Sequence, residues 1–247
     1  MAIKRYTATL DNTITNAFKD NLTTRGTDAN MGASDILEVF SIYGQASTSS
    51  AETARALLQF DTDAIQADRD ADEIPAAGSV SFYLRVHNAP HGQTLPKDYN
   101  LSVLAVSRSW EEGYGLDMEG YRDADASNWV NATTNVTWSA EGGDFHSAPE
   151  YTQAISDGTE DIEIDITTLV EEWLDDTKEN YGVGIKLSAS HESDARSFYT
   201  KKFFARGSEF HYLKPKIEAR WETGIQDDRG NFYASSSLVP AADNLNT

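Results

Sequence analysis

Alternation with a period of two residues is the feature that most constrains this chain. "SVSFYLRVHN" sets Val80, Phe82, Leu84 and Val86 against Ser79, Ser81, Tyr83, Arg85 and His87. "DILEVFSIYG", "YNLSVLAVSRSW", "EDIEIDI" and "YGVGIKLSAS" repeat the pattern, and "TARALLQFDTD" is a mostly apolar run ending in charge. "SFYTKKFFA" and "KPKIEARWE" follow near the end. Side chains of a strand point alternately to opposite faces, so each segment reads as a half-buried strand. Gly, Asp, Asn, Ser and Pro separate the segments, as turns require. Helical periodicity is scarce. In "IEIDITTLVEEWLDDTKENYGVGIKL", Leu169, Val170, Trp173 and Leu174 form one apolar face, and Thr167 or Thr168 is placed to cap it. A second helical possibility, around Asp63 to Asp72, is too acidic and Ala-rich to assign. Many strands and few helices predict an all-β fold, a jelly-roll β-sandwich with one short helix and long loops.

The strands run from about Tyr6 to Trp221 without a Pro- or Gly-rich linker. One domain over 1–221, including an N-terminal arm, is expected, with 222–247 as a polar C-terminal arm or linker. The N-terminus has two basic residues but no apolar run behind them, so it does not read as a signal peptide. No segment approaches the ~20 apolar residues of a membrane span. A chain made in the cytoplasm, with no membrane partner, is expected.

The chain carries 40 acidic and 20 basic residues, a net charge of −20, which disfavours nucleic acid as a partner. Its nearest basic group is Lys201, Lys202, Arg206, Lys214 and Lys216, interrupted by Glu209. Cysteine is absent, which excludes disulfides and thiol chemistry. There is no G-x-S-x-G elbow, and the five histidines show no helical zinc spacing. Catalytic residues are therefore not expected, and no cofactor is required.

Glu171, Glu172, Asp175 and Asp176 surround Trp173 in two pairs. Such pairs can ligate a cation, but the commoner reading is a solvated helix face with Trp173 as the core anchor. Asp61 and Asp63, in "FDTDAIQADRDADE", are weak candidates for a structural Ca²⁺, although the central Gly and terminal Glu of an EF-hand are missing. Asp123 and Asp125 are similar. Trp110, Tyr114, Tyr121, Trp129 and Trp138 lie in a Gly-, Asn- and Asp-rich region. Aromatic faces beside carboxylates and amides suit sugar rings, which makes these five the glycan-binding candidates. The alternative is that they pack long loops onto the sandwich.

The ordered series "NMGASDILEV", "ARALLQFDTD", "IPAAGSVSFYLRV", "VSRSWEEGYG", "SNWVNATTNVTWSAEGGDF", "IEIDITTLVEEWLDD", "ENYGVGIKL", "SFYTKKF" and "LKPKIEARW" resembles the DNRLRE-domain family, over about Thr27 to Trp221. The resemblance implies a jelly roll related to carbohydrate-binding modules, with glycan or matrix binding rather than catalysis. The chain departs from it in its charge, its lack of a signal peptide and Gln59 in place of the usual basic residue. The segment from Phe198 onward, with "DDRGNFYASSSLVPAADNLNT", also looks like structural proteins of tailed bacteriophages. That implies a non-enzymatic virion protein on the outer surface of a capsid, neck or tail, partnered by other virion subunits through arms at about 1–20 and 222–247. Adhesion to host surface glycan is the alternative.

Overall fold

The structure, a computed structural model, describes residues 1–224. It is an all-β sandwich. Its strands are β1 (Ala2–Thr15), β2 (Ile36–Tyr43), β3 (Ala51–Phe60), β4 (Ser81–Val86), β5 (Tyr99–Val106) and β6 (Asn131–Thr133). They continue as β7 (Val136–Thr137), β8 (Phe145–Ile155), β9 (Ile162–Asp165), β10 (Val183–Leu187), β11 (Phe198–Phe204) and β12 (Lys216–Trp221). Three short helices interleave: α1 (Thr62–Asp70), α2 (Thr167–Leu174) and α3 (Ala189–Glu192). The expectation of one helix is thus corrected. In α1 only Ile65 is buried, so there was almost no apolar face to detect.

All strand pairs are antiparallel. One layer runs β9–β4–β12–β1 and the other β1–β3–β10–β5–β8. β1 belongs to both. Its residues Ala2 to Thr7 pair with β12, and Ala8 to Thr15 pair with β3, with a register shift between Ala8 and Leu10. β2 pairs with β3, β11 pairs with β2, and Phe203 of β11 bridges to Asn88 just beyond β4. The sheet therefore nearly closes into a barrel. Phe60, Phe82, Leu84, Leu101 and Phe203 are among the fully buried side chains of the core between the layers.

The expected N-terminal arm is not an arm but the strand that joins the layers. Its polar composition misleads because the polar side chains of its second half are interior. Asp11, Asn12, Thr13 and Thr15 are buried. Asn12 Nδ2 donates to Ser127 O and Oγ, both at 2.8 Å, and its Oδ1 accepts from the Met31 N–H at 2.9 Å. Thr13 Oγ1 accepts from the Glu38 N–H at 3.0 Å, and Thr15 Oγ1 donates to Thr53 O at 2.9 Å. Buried polar groups are tolerated when satisfied in this way. Of the expected C-terminal arm, residues 225–247 lie outside the described residues.

α2 carries β9, in one layer, over to β10 in the other. Leu169, Val170 and Trp173 are buried, as the spacing predicts. The expected threonine cap does not form: Ile166 is the N-cap residue and makes no side-chain cap bond. Thr167 Oγ1 instead accepts from the Phe82 N–H at 2.8 Å and donates to Asp165 Oδ1 at 2.6 Å, tying the helix start to β4.

Removing residues 1–8 should abolish the cooperative thermal transition followed by circular dichroism, because β12 would lose one of its two neighbours and the layers the strand that joins them. An unchanged melting curve would mean that this segment behaves as a dispensable arm.

Candidate functional site

The aromatic-rich segment between Ser107 and Phe145 folds onto the outer face of the second layer. There Ile14, Leu57 and Val106, from three different strands, meet Trp110, Trp129, Ala132 and Trp138 in a second apolar cluster. This explains the unbroken apolar run of β3: Leu58 faces the main core and Leu57 faces this cluster. Trp110, Trp129 and Trp138 are only 4%, 6% and 4% exposed. Trp110 Nε1 donates to Tyr181 O at 2.9 Å and Trp138 Nε1 to Asn128 O at 2.8 Å. The Arg55 guanidinium covers the Trp129 ring at 5.1 Å. The candidacy of Trp129 and Trp138 as sugar platforms is corrected: they are packed in this cluster and hold the loops down, and Trp110, packed with them, also lines the cleft beside Tyr114.

Tyr114 and Tyr121 are placed differently, 88% and 70% exposed. The Tyr114 N–H donates to Asp123 Oδ2 at 3.0 Å. Asp117 Oδ1 accepts from the N–H groups of Glu119, Gly120 and Tyr121 at 2.7, 2.6 and 3.0 Å, closing the turn that carries Tyr121. These donors, the Tyr121 N–H foremost, hold the Asp117 carboxyl below its usual range. Beside Tyr114 lies a cleft of about 500 Å³, lined by Leu10, Trp110, Glu111, Asp123 and Asp125 among others. Its walls combine an apolar floor with carboxylates.

A polar frame fixes this cleft to the sandwich. Asn30 Nδ2 donates to Glu112 O at 2.6 Å and Ser127 O at 2.7 Å, while Asn30 Oδ1 accepts from the Gly32 and Gly115 N–H groups at 3.1 and 3.0 Å. Gly115 is obligatory here: a Cβ would stand 2.0 Å from Asn30 O. Glu112 accepts from the Asp11 N–H at 2.8 Å and forms a fork with Arg206, at 3.1 and 2.7 Å. The Arg206 N–H donates to Asp11 Oδ2. Burial pushes the Asp11 carboxyl up to about 7; the Arg206 N–H opposes the shift and the Glu112 carboxylate adds to it.

The acidic pairs on α2 are only partly a wet face. Glu171 accepts a fork from Arg69 of α1 at 2.8 and 2.7 Å, and Glu172 pairs with Lys178 at 2.6 Å. Asp175 and Asp176 are exposed. Asp61 is the N-cap of α1, its Oδ1 accepting from the Asp63 and Ala64 N–H groups at 3.0 and 3.3 Å. Asp61 and Asp63 line a groove of about 590 Å³ with Asp176 and Glu179. Among the described residues, no three or more His, Asp or Glu converge closely enough to hold a metal ion. No described helix is long and apolar enough to cross a membrane. No protein-family model matches the chain, and no curated protein matches it.

Truncating Trp138 to Ala should cost about 3–5 kcal/mol in urea unfolding, as for a buried aromatic. Tyr114→Ala should stay within about 0.5 kcal/mol of the parent. Equal costs would overturn the assignment of the tryptophans to packing. Asp11 also predicts a pH signature. Its folded value lies above the ordinary 3.8, so its contribution is complete below that range and is lost as pH rises through about 7. The stability difference between the parent and Asp11→Asn should therefore shift against the parent across that interval. A pH-independent difference would contradict the assignment.

Proposed function

We propose that the chain is a non-enzymatic structural protein of a tailed-bacteriophage particle, carried on the outer surface of a capsid, neck or tail. The observation that carries the non-catalytic reading is the employment of the acidic groups. Glu171 and Glu172 serve ion pairs, Glu112 joins the loop frame to Arg206, and Asp61 caps a helix. Glycosidase-type acid/base work needs two carboxylates facing each other across an accessible gap. Here these groups hold elements together instead. The virion setting rests on the sequence resemblance of the segment from Phe198 onward to tailed-phage structural proteins.

With residues 2–15 committed to the sheet, contacts to neighbouring subunits fall to other surfaces. The end strand β8 is 11 residues long and, among the described residues, pairs in the sheet on one side only, which leaves an edge of the kind strand-to-strand docking uses. In purified particles the chain should appear at a fixed copy number by quantitative mass spectrometry. A chain found only as free protein would defeat the proposal.

A second reading, adhesion to host glycan, is favoured by the exposure of Tyr114, which lines a carboxylate-bearing cleft, and of Tyr121, whose carbonyl accepts from the Leu116 N–H nearby. On a polysaccharide array, Tyr114→Ala and Tyr121→Ala should each weaken binding while leaving the melting temperature unchanged. Binding that survives the double substitution would remove the cleft from consideration.

A further inference from the structure

A second pocket lies on the outer face of the first layer, and strand register builds it. Thr7 of β1, Lys216 of β12 and Arg85 of β4 stand side by side across three strands. Arg5, Glu218 and Tyr83 form the next row on the same face. His87 lies just beyond Arg85, and the 3-10 turn His211–Leu213 brings His211 and Tyr212 to the rim. Together these side chains enclose about 440 Å³, within the size range of small-molecule sites.

Cations outnumber carboxylates in the lining: Arg5, Arg85 and Lys216 stand against one carboxylate, Glu218. Like charges directly opposite on neighbouring strands repel, and Lys216 faces Arg85 with Arg5 on the diagonal. Arg85 pairs with Glu163 and lies 4.0 Å from Asp161, His87 pairs with Asp161 at 2.9 Å, and Arg5 pairs with Glu218 at 2.9 Å. Lys216 has no comparable partner. It is 7% exposed, and its ammonium donates to the Tyr212 carbonyl. Among the described residues, no carboxylate lies within 4.0 Å of Lys216 Nζ. Burial lowers its pKa, Arg5 and Arg85 lower it further, and Glu218 opposes them. In a chain with net charge −20, this is a local concentration of cations around a cavity.

We propose that this pocket binds an oxyanion: a carboxylate, sulfate or phosphate group on a small, sugar-sized carrier. Lys216 and Arg85 supply the charge-assisted donors at the floor. Arg5 closes one side, His211 the rim, and the Tyr212 ring, 67% exposed, offers a face to the carrier. The local cations attract the anion, so binding should weaken as salt screens them. The site is remote from the Tyr114 cleft and does not depend on the virion reading.

The test is a titration of the full chain with sodium sulfate, sodium phosphate and sodium glucuronate at constant ionic strength, with glucose as the neutral control. The readout is the NMR signals of the His87 and His211 rings. Saturable shifts are expected with at least one anion and none with glucose. Lys216→Met should weaken binding by about ten- to a hundred-fold, the effect of losing a charged hydrogen-bond donor. Arg5→Gln, at an exposed position, should weaken it several-fold, and keeps the comparison valid if Lys216→Met does not fold. A response to glucuronate alone identifies a carboxylate ligand, and a response to sulfate or phosphate alone identifies an ester; either supports the site. Absence of saturable shifts with all three anions, or shifts unaffected by Arg5→Gln and His211→Ala together, would overturn it.

Discussion

The passage of β1 from one layer to the other is the constraint on which the rest of the structure depends. A sandwich is ordinarily held by apolar side chains meeting between separate sheets. Here one strand also supplies continuous backbone hydrogen bonding to both, through β12 over its first half and β3 over its second. The change of partner coincides with the register shift between Ala8 and Leu10. A bulge at such a point bends the strand and increases its twist, which is what turning from one layer to the next requires. The same strand then carries Asp11, Asn12 and Thr13 into the polar frame that seats the long loops.

That frame accounts for the division of labour among the aromatics. The second layer is covered on its outer face as well as its inner one, so it needs a second set of apolar side chains. Trp110, Trp129 and Trp138 provide them, with indole N–H groups of Trp110 and Trp138 satisfied by backbone carbonyls. Tyr114 and Tyr121 occupy turns built by Asp123 and Asp117, outside this packing, and remain open to solvent. The loops thus have an anchored base and a displayed rim.

Much of the fold was legible because half-buried strands announce themselves. β2, β4, β9 and β10 each carry the alternation that their burial reproduces in whole or part. β1 was not legible, since a strand with an interior polar network has the composition of an exposed arm. β8 was missed for the opposite reason: an exposed end strand with Pro149 within it offers little apolar signal. Composition alone did not separate the buried tryptophans from the exposed tyrosines; only the tertiary covering of the second layer does. The basic pocket was half visible. Lys216 belongs to a basic group apparent in the sequence, but Arg5 and Arg85 reach it only through strand register across β1, β12 and β4.

Electrostatics follow the same architecture. The excess of acidic residues is largely carried outward, while cations such as Arg69, Arg206 and Lys201 are drawn inward to join elements distant in sequence. Lys201, 1% exposed, donates to Asn88 Oδ1, Gly158 O and Glu160 O at 2.6, 2.9 and 2.8 Å, and burial lowers its pKa to about 8. The account's central claim is that β1 binds both layers into one cooperative unit. Native-state hydrogen exchange of the β1 amides tests it most directly. Amides bonded to β12 and amides bonded to β3 should exchange only through global unfolding, with the same free energy. Faster, denaturant-independent exchange confined to the first half would show that segment fraying on its own, and would contradict the claim.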